Sequence, residues 1–205
     1  FAISDFVFLQ GSFAFERTTG NAVDDGGAGF TVEALQIGGA GIDAFVGIGP
    51  FFIDSDGDGV IEATDTRSDD AMGLAIENLS FGLAIFREEG VLPANARQFL
   101  ALKAEADRAA LIGVPEIVAD VNGISVEINI GLGAAAGTAL DFTAAPVIVA
   151  TGATSGITSF TLDFDREIIK ASAELATFAI SDFVFLQGSF AFERTTGNAV
   201  DDGGA

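Results

Sequence analysis

The chain of 205 residues carries 30 acidic and 9 basic side chains, for a net charge of −21, and it has no cysteine and no histidine. Such a polyanion is poorly suited to bind nucleic acid or anionic membranes. Without cysteine there are no disulfides, and without histidine or cysteine no common catalytic triad forms. We therefore expect a protein that is not an enzyme, whose clustered carboxylates are available to divalent cations. No apolar run is long enough for a membrane-spanning helix in this fragment.

One segment occurs twice. Residues 1–28 read FAISDFVFLQGSFAFERTTGNAVDDGGA, and residues 178–205 read the same letters, an offset of 177 residues. We interpret residues 1–177 as one full repeat and residues 178–205 as the first segment of the next. Three origins fit this pattern: a slice of a tandem array, an engineered permutant with a duplicated edge, and a piece cut from a polymer. The tandem array is favoured, and a first residue that is Phe fits a fragment.

The first half of the chain shows the alternation of β-strands. Residues 3–17 place Val7, Leu9, Gly11, Phe13 and Phe15 on one face and Phe6 and Phe8 on the other. Residues 18–29 are a cluster of turn-forming residues. Residues 30–37 alternate again and lead through a glycine-rich stretch to IDAFVGIG. After the polar loop at 50–72, residues 73–87 place Leu79, Phe81, Leu83 and Ile85 on one face.

The second half is also predicted to be β-rich. Residues 96–112 have a helical composition but also alternate, so their periodicity leaves helix and strand open. Residues 117–130 place Ile124, Val126, Ile128 and Ile130 on one face, with Ser125, Glu127 and Asn129 on the other. Short strands are expected at PVIVA and at residues 157–164. From residue 165 onward, strand-like sequence runs into the second copy of the opening segment without a polar linker.

The missing linker bears on the architecture. Beads on a string need flexible linkers, whereas solenoid repeats bury one another's faces. We predict an all-β fold of long antiparallel strands in an elongated, solenoid-like tandem repeat. The alternative is a self-contained β-sandwich or barrel repeated in tandem. The two copies should lie at opposite ends in similar conformations, one as an inner strand and one as an exposed edge.

The stretch DSDGDGVIEATD, residues 54–65, matches a calcium loop. Acids occupy positions 1, 3 and 5, glycine occupies the sharp turn at position 6, and position 7 donates a backbone carbonyl. The predicted ligands are Asp54, Asp56, Asp58, Val60, Glu62 and Asp65. Asp65 is shorter than the usual glutamate, so Asp69 or Asp70 could supply a missing ligand. The alternative is a solvated acidic turn, and no helix is predicted on either side.

Two further acidic stretches are weaker candidates. GGAGIDAFV, residues 38–46, matches one calcium nonapeptide, but β-rolls share each ion between several such turns. A glycine-rich bend with Asp43 near the surface is the simpler interpretation. VDDGGAG, residues 23–29, offers Asp24 and Asp25 to a weakly bound cation or, more simply, forms a solvent-facing turn.

Four phrases in order resemble a family of long repeats in giant secreted bacterial surface proteins. They are GSFAFER (11–17), IDAFVGIG (42–49), LSFGLAIF (79–86) and AALIGVPEIVADVNGISVEINIG (109–131). The resemblance implies exported adhesin-like or matrix proteins that often carry calcium-binding modules, and it implies no catalytic residues. It also implies that residues 97–112 form a strand. The chain departs from the family at its acidic loop, 54–65, which many units replace with shorter acidic turns.

These observations lead to one functional expectation and one rival. We expect a structural repeat of an extracellular bacterial surface filament or matrix protein, stiffened by Ca²⁺, whose partners are adjacent repeats in the same chain or in neighbouring chains. The rival is an adhesin module that binds a glycan or a cell surface. Identical repeats favour the structural role, because a spacer needs only stiffness and length.

Overall fold

The computed structural model describes residues 2–3, 7–27 and 29–195, the first two as backbone only. Apart from one 3-10 turn at Gly133–Ala135, all regular structure there is β. The strands are β1 Ala2–Ile3, β2 Val7–Val23, β3 Phe30–Ile48, β4 Phe52–Ile53, β5 Thr66–Arg67, β6 Met72–Glu88, β7 Gln98–Ile112, β8 Ile117–Leu132, β9 Val147–Ala150, β10 Ser159–Leu162, β11 Ile168–Ile180 and β12 Val184–Thr195.

Eight strands form one sheet in the order β1-β2-β3-β6-β7-β8-β11-β12, and every neighbouring pair is antiparallel. The chain therefore goes up and down through the sheet, with two insertions, residues 49–71 and residues 133–167. Each insertion contains a small hairpin, β4–β5 in the first and β9–β10 in the second. The sheet is open, so the all-β class and the long antiparallel strands are confirmed. The solenoid stays a prediction.

The two copies of the duplicated segment lie at opposite ends of this sheet: the first copy forms β1 and β2, and the second copy forms the end of β11 and β12. They share their local pairing: Ala2 and Ile3 lie opposite Phe8 and Val7, and the equivalent pairs Ala179–Phe185 and Ile180–Val184 recur in β11 and β12. The start of the segment therefore pairs in the same way at both ends of the sheet. β2 lies between β1 and β3, although β1 pairs with it at only two described residues, whereas β12 is the last described strand and its side chains are largely exposed. The expectation of an exposed edge is therefore confirmed for β12, and that of an inner strand is met only in part by β2.

The second copy of the duplicated segment begins inside regular structure. β11 runs from Ile168 to Ile180, so residues 177 and 178 are consecutive residues of one strand. All but one of the residues from 168 to 180 have a direct partner on β8. The absence of a linker that the sequence indicated is therefore confirmed.

The structure settles two local questions. β2 continues to Val23, so the predicted turn over 18–29 begins too early. The strand accommodates its polar residues with a bulge between Thr18 and Asn21, where Gly20 has φ 72° and the Asn21 side chain donates to Thr18 Oγ1 and to the Val32 carbonyl. Residues 98–112 form β7, so a strand, and not a helix, is confirmed there.

Both insertions cover the same face of the sheet, since residues of both line one cleft above β2 and β3. The larger core lies under the second insertion, where Leu140, Phe142, Val149, Leu162 and Phe164 pack on residues of β3, β6 and β7. The sheet contributes mostly small side chains to this face, such as Ala34, Ala84 and Ala101, with Phe86 and Phe99 between them.

The opposite face also carries large apolar side chains. Cross-strand pairing aligns one row over five strands, formed by Phe15, Ile37, Leu83, Leu102 and Ile128, and all five are at least partly exposed. On β8, by contrast, the fully buried side chain is Asn129, whose Nδ2 donates to the carbonyls of Leu140 and Arg166. The alternation therefore predicts correctly which side chains of β8 share a face, but the face of β8 that is covered is the one with the polar residue Asn129.

Glycine is required where the second insertion touches the sheet. A Cβ at Gly38 would collide with the Ala150 carbonyl, and a Cβ at Gly82 would lie 2.6 Å from Cβ of Phe160. Side chains at these positions would lift the insertion from the sheet.

We predict that Gly38→Ala lowers the free energy of unfolding by about 1–3 kcal/mol, because it overpacks a backbone contact. Gly188→Ala is the matched control, since a Cβ there meets no atom within 4 Å, and we expect a change within about 0.5 kcal/mol. Urea titration of both variants measures the difference. Equal losses would contradict the close approach of insertion and sheet.

Candidate metal centre

The acidic loop projects from a two-stranded hairpin. Phe52 pairs with Arg67 and Ile53 with Thr66, and residues 54–65 connect the two strands. No helix flanks the loop among the described residues. The expectation that this loop joins strands is confirmed.

Phenylalanine rings anchor the hairpin to the sheet. The ring of Phe52 lies 5.0 Å from that of Phe8 in an edge-on arrangement, and Phe51 stacks on Phe45 at 4.8 Å. All four rings are buried, and the guanidinium of Arg67 lies 5.2 Å from the Phe51 centroid. The loop therefore begins from a rigid base on β2 and β3.

An ion-pair chain fixes the other side of the hairpin. Arg67 donates to Glu77 on β6 at 2.7 Å, and Arg108 on β7 bridges Glu77 at 2.9 Å and Asp120 on β8. These guanidinium groups, Arg67 first, hold the pKa of Glu77 below its usual range. The hairpin is thus connected by charge to three strands.

Three carboxylates converge within the loop. Asp54, Asp56 and Asp58 each place an oxygen within 4.8 Å of the others. Two oxygens that bind one Ca²⁺ at about 2.3–2.6 Å are separated by at most about 5.2 Å. The three residues therefore fit around a single ion of this kind.

The backbone of the loop orients these carboxylates. Asp54 accepts hydrogen bonds from the N–H groups of Gly57 at 2.6 Å and Gly59 at 3.0 Å, and Asp58 accepts one from Val60 at 2.7 Å. Both glycines have positive φ, 77° and 82°, which explains their presence in the two tight turns. Each carboxylate oxygen has two lone pairs, so these hydrogen bonds leave capacity for a metal.

The two other carboxylates among the predicted ligands have hydrogen-bond partners within the loop. Asp65 accepts from the N–H and Oγ of Ser55 at 2.9 and 3.0 Å and from the N–H of Glu62 at 3.0 Å, which closes the base of the loop. The Glu62 carboxylate accepts from Thr64 Oγ1 at 2.6 Å, and the side chain of Val60 is exposed. Of the five carboxylates among the predicted ligands, the structure brings together three, Asp54, Asp56 and Asp58.

The weaker acidic candidates lie elsewhere. Asp24 accepts from the N–H groups of Gly26 and Gly27, as in an Asx turn, and Asp25 pairs with Arg97 at 2.7 Å. Asp43 accepts from the N–H of Asn78 at 3.1 Å, in a part of β3 that is irregular on both sides of Ile42. These contacts give each of the three a role in the fold.

Sequence reasoning missed the cations that organise these segments. Arg97 donates to Glu88 and Asp25, and its guanidinium lies 3.5 Å from the Phe30 ring centroid. The sequence did contain a signal for these pairs. Because the chain has 9 basic residues and 30 acidic ones, each basic residue can be expected to have an acidic partner.

No protein-family model, curated protein or solved structure matches the chain at a significant level. Within the described ranges, no helix has the length and apolar character needed to cross a membrane.

Asp65 makes the loop sensitive to acid. The N–H of Ser55, followed by that of Glu62, lowers the pKa of Asp65 from its ordinary value. Its stabilising effect is therefore complete above the unfolded-state pKa, about 3.9, and is lost as pH falls through the lower folded-state pKa.

We expect Asp65→Asn to be less stable than the wild type at pH 7 and to lose less stability between pH 5 and pH 3. Urea midpoints across this range measure both effects. Asp182→Asn, in the exposed turn between β11 and β12, is the control and should behave like the wild type. Parallel curves for Asp65→Asn and the wild type would show that Asp65 does not close the loop as a carboxylate.

Proposed function

We propose that this chain is a structural repeat of an extracellular bacterial surface filament or matrix protein, stiffened by Ca²⁺. The observation that carries the proposal is the presence of the same segment at both ends of an open sheet, with the same local register. A unit that ends on the strand with which it begins can be stacked without a change of geometry. The resemblance to repeats of giant secreted surface proteins supports the extracellular location.

Calcium has a defined mechanical role in this proposal. Asp54, Asp56 and Asp58 would hold the ion, which would cancel the mutual repulsion of their carboxylates and fix the loop. The loop belongs to the insertion that covers β2 and β3 through Phe51 and Phe52. Stiffening the loop therefore stiffens the cover over the edge of the repeat.

The rival is an adhesin module, and one observation bears on it. A cleft of about 630 Å³ lies between the two insertions and is lined by polar residues such as Gln10, Ser12 and Asp43. No aromatic side chain lines it among the described residues, whereas sugar-binding sites commonly use aromatic rings as platforms. The structural role is therefore preferred.

We predict that Ca²⁺ raises the melting temperature of the purified protein. At a free concentration about 100 times its Kd, one ion stabilises the folded state by about 2.7 kcal/mol, or about 5–10 °C for a chain of this size. Asp56→Asn should remove most of this shift, because it replaces one of the three converging carboxylates.

Calorimetry with added Ca²⁺ and with a chelator measures the shift, and Asp182→Asn is again the matched control. An equal melting temperature in both conditions would contradict the calcium part of the proposal. A shift that Asp56→Asn leaves intact would place the ion elsewhere.

The filament part has its own test. Electron microscopy of purified cell-surface material, with antibody against this repeat, should show labelled filaments with a regular axial spacing. Label on isolated globular particles that bind glycans or cells would support the adhesin instead.

A further inference from the structure

The free side of β12 is identifiable from its copy. β2 has two sides: one faces β3, and the other faces β1, which is residue for residue the end of β11 displaced by 177 positions. β12 pairs with β11 on this second side, and no described strand lies beyond it. The side that β12 leaves open is therefore the side with which β2 pairs with β3.

The exposure of equivalent side chains shows what this open side lacks. Phe8 is 4% exposed, because β3 and the rings of Phe51 and Phe52 cover it, whereas its copy Phe185 is 70% exposed. Leu186 is 69% exposed, against 36% for Leu9. A long, apolar edge strand whose outer side is unpaired tends to pair with another strand.

The two copies also use different halves of the same polar side chains. Gln10 accepts through Oε1 from the N–H of Ala63 in the acidic insertion, whereas Gln187 donates through Nε2 to Thr177 of β11. One glutamine can make both hydrogen bonds at once. The contacts on the β3 side and on the β11 side are therefore compatible within a single strand.

Charged neighbours follow the same division. Arg17 of β2 pairs with Glu33 of β3 at 2.7 Å. On β12, Glu193 lies opposite Lys170 of β11, whose pKa is raised chiefly by Glu127 and further by Glu193. The Glu-Arg pair near the end of the strand thus has a complementary charge on each side: Glu193 faces a cation of β11, and Arg17 faces an anion of β3.

We propose that β12 pairs with β3 of a second copy of this chain, in the place that β2 holds here. This inference rests on the proposed structural function and adds the partner, the strand and the register. The register is that of β2 on β3: Val184 lies opposite Val46 of the second copy, and Leu186 lies opposite its Ala44. Phe185 then enters the ring cluster that Phe8 occupies.

The geometry of the resulting assembly is fixed by strand number. Six long strands, β2, β3, β6, β7, β8 and β11, separate equivalent positions. Because six is even and all pairs are antiparallel, β2 and β12 run in the same direction, so copies add head to tail. At about 4.8 Å per strand, successive copies are displaced by about 29 Å across the sheet.

In separate chains, β12 must displace β2 of the second copy. β2 has the same sequence and a high effective concentration near its own β3, so it acts as a competing cap. We therefore expect exchange to be slow and dependent on protein concentration, and best detected by a covalent trap.

The absence of cysteine makes such a trap specific. The test variant is Leu186→Cys with Ala44→Cys. Within one molecule these positions are five strand spacings apart, about 24 Å, so no intramolecular disulfide can form. Under mild oxidation at high protein concentration, we expect a ladder of disulfide-linked dimers and higher species on a non-reducing gel.

The register control is Gln187→Cys with Ala44→Cys, because neighbouring residues of a strand point to opposite faces. We expect at least about tenfold less cross-linked dimer than for the first pair, given the geometric demands of a disulfide. Equal cross-linking of both pairs, or none in either, would overturn the proposal.

A third variant separates exchange from collision. A Cβ at Gly188 meets nothing in the monomer, whereas a Cβ at the equivalent Gly11 would lie 2.6 Å from Ile42 Cγ1 and 2.8 Å from Ile42 Cα. Adding Gly188→Ala to the first cysteine pair should abolish the ladder while the melting temperature stays unchanged. A persistent ladder would exclude the β2 position. Filaments on cells without any registered cross-link would leave the structural function standing and reject this strand exchange.

Discussion

Hydrogen bonding between long antiparallel strands is the constraint on which the rest of this structure depends. Each inner strand is paired along nearly its whole length, so the sheet itself, and not a closed core, determines the course of the chain. Nothing in such a hydrogen-bond ladder limits the number of strands, because the outer side of an edge strand can pair with a further strand. Because the second copy of the duplicated segment begins inside β11, the ladder is already continuous where that copy starts. Covalent and hydrogen-bonded continuity thus coincide, as the proposed structural repeat requires.

The two faces of this sheet carry different side chains because the insertions cover only one of them. The insertions approach one face so closely that glycine and alanine are needed beneath them, as at Gly38 and Gly82. The burial of Asn129 has the same cause. The backbone of the insertion that packs on the sheet buries carbonyl groups, and buried carbonyl groups must be hydrogen-bonded. Large apolar side chains such as Leu83 and Leu102 also occupy the other face, where neighbours of the same row shield one another laterally across the strands.

The sequence predicted the strands well and their surroundings less well. Alternation correctly located β6, β8 and β10, and the acidic spacing predicted that Asp54, Asp56 and Asp58 share a loop. Periodicity states which side chains share a face, but it does not state which face an insertion will cover, so the burial of Asn129 beside partly exposed isoleucines was not foreseeable. The limits of β2 failed for a related reason: a bulge lets Gly20 and Asn21 remain in a strand. Asp65 was assigned by position in a loop motif, whereas its hydrogen bonds to Ser55 and Glu62 depend on how the hairpin closes.

Net charge and an apolar edge together explain how such a unit can be specific. A chain of −21 repels its copies at long range, which suppresses unspecific association of exposed strands such as β12. At short range, a partner strand must match both the apolar positions and the terminal Glu-Arg pair. A slip of one residue would turn Phe185 from the ring cluster to the opposite face. It would also separate Arg194 from Glu33 of the second copy, the residue that pairs with Arg17 within one molecule. The identical sequences of β2 and β12 meet this requirement. Because β2 already fits β3 within each molecule, β12 fits β3 of every other copy in the same register.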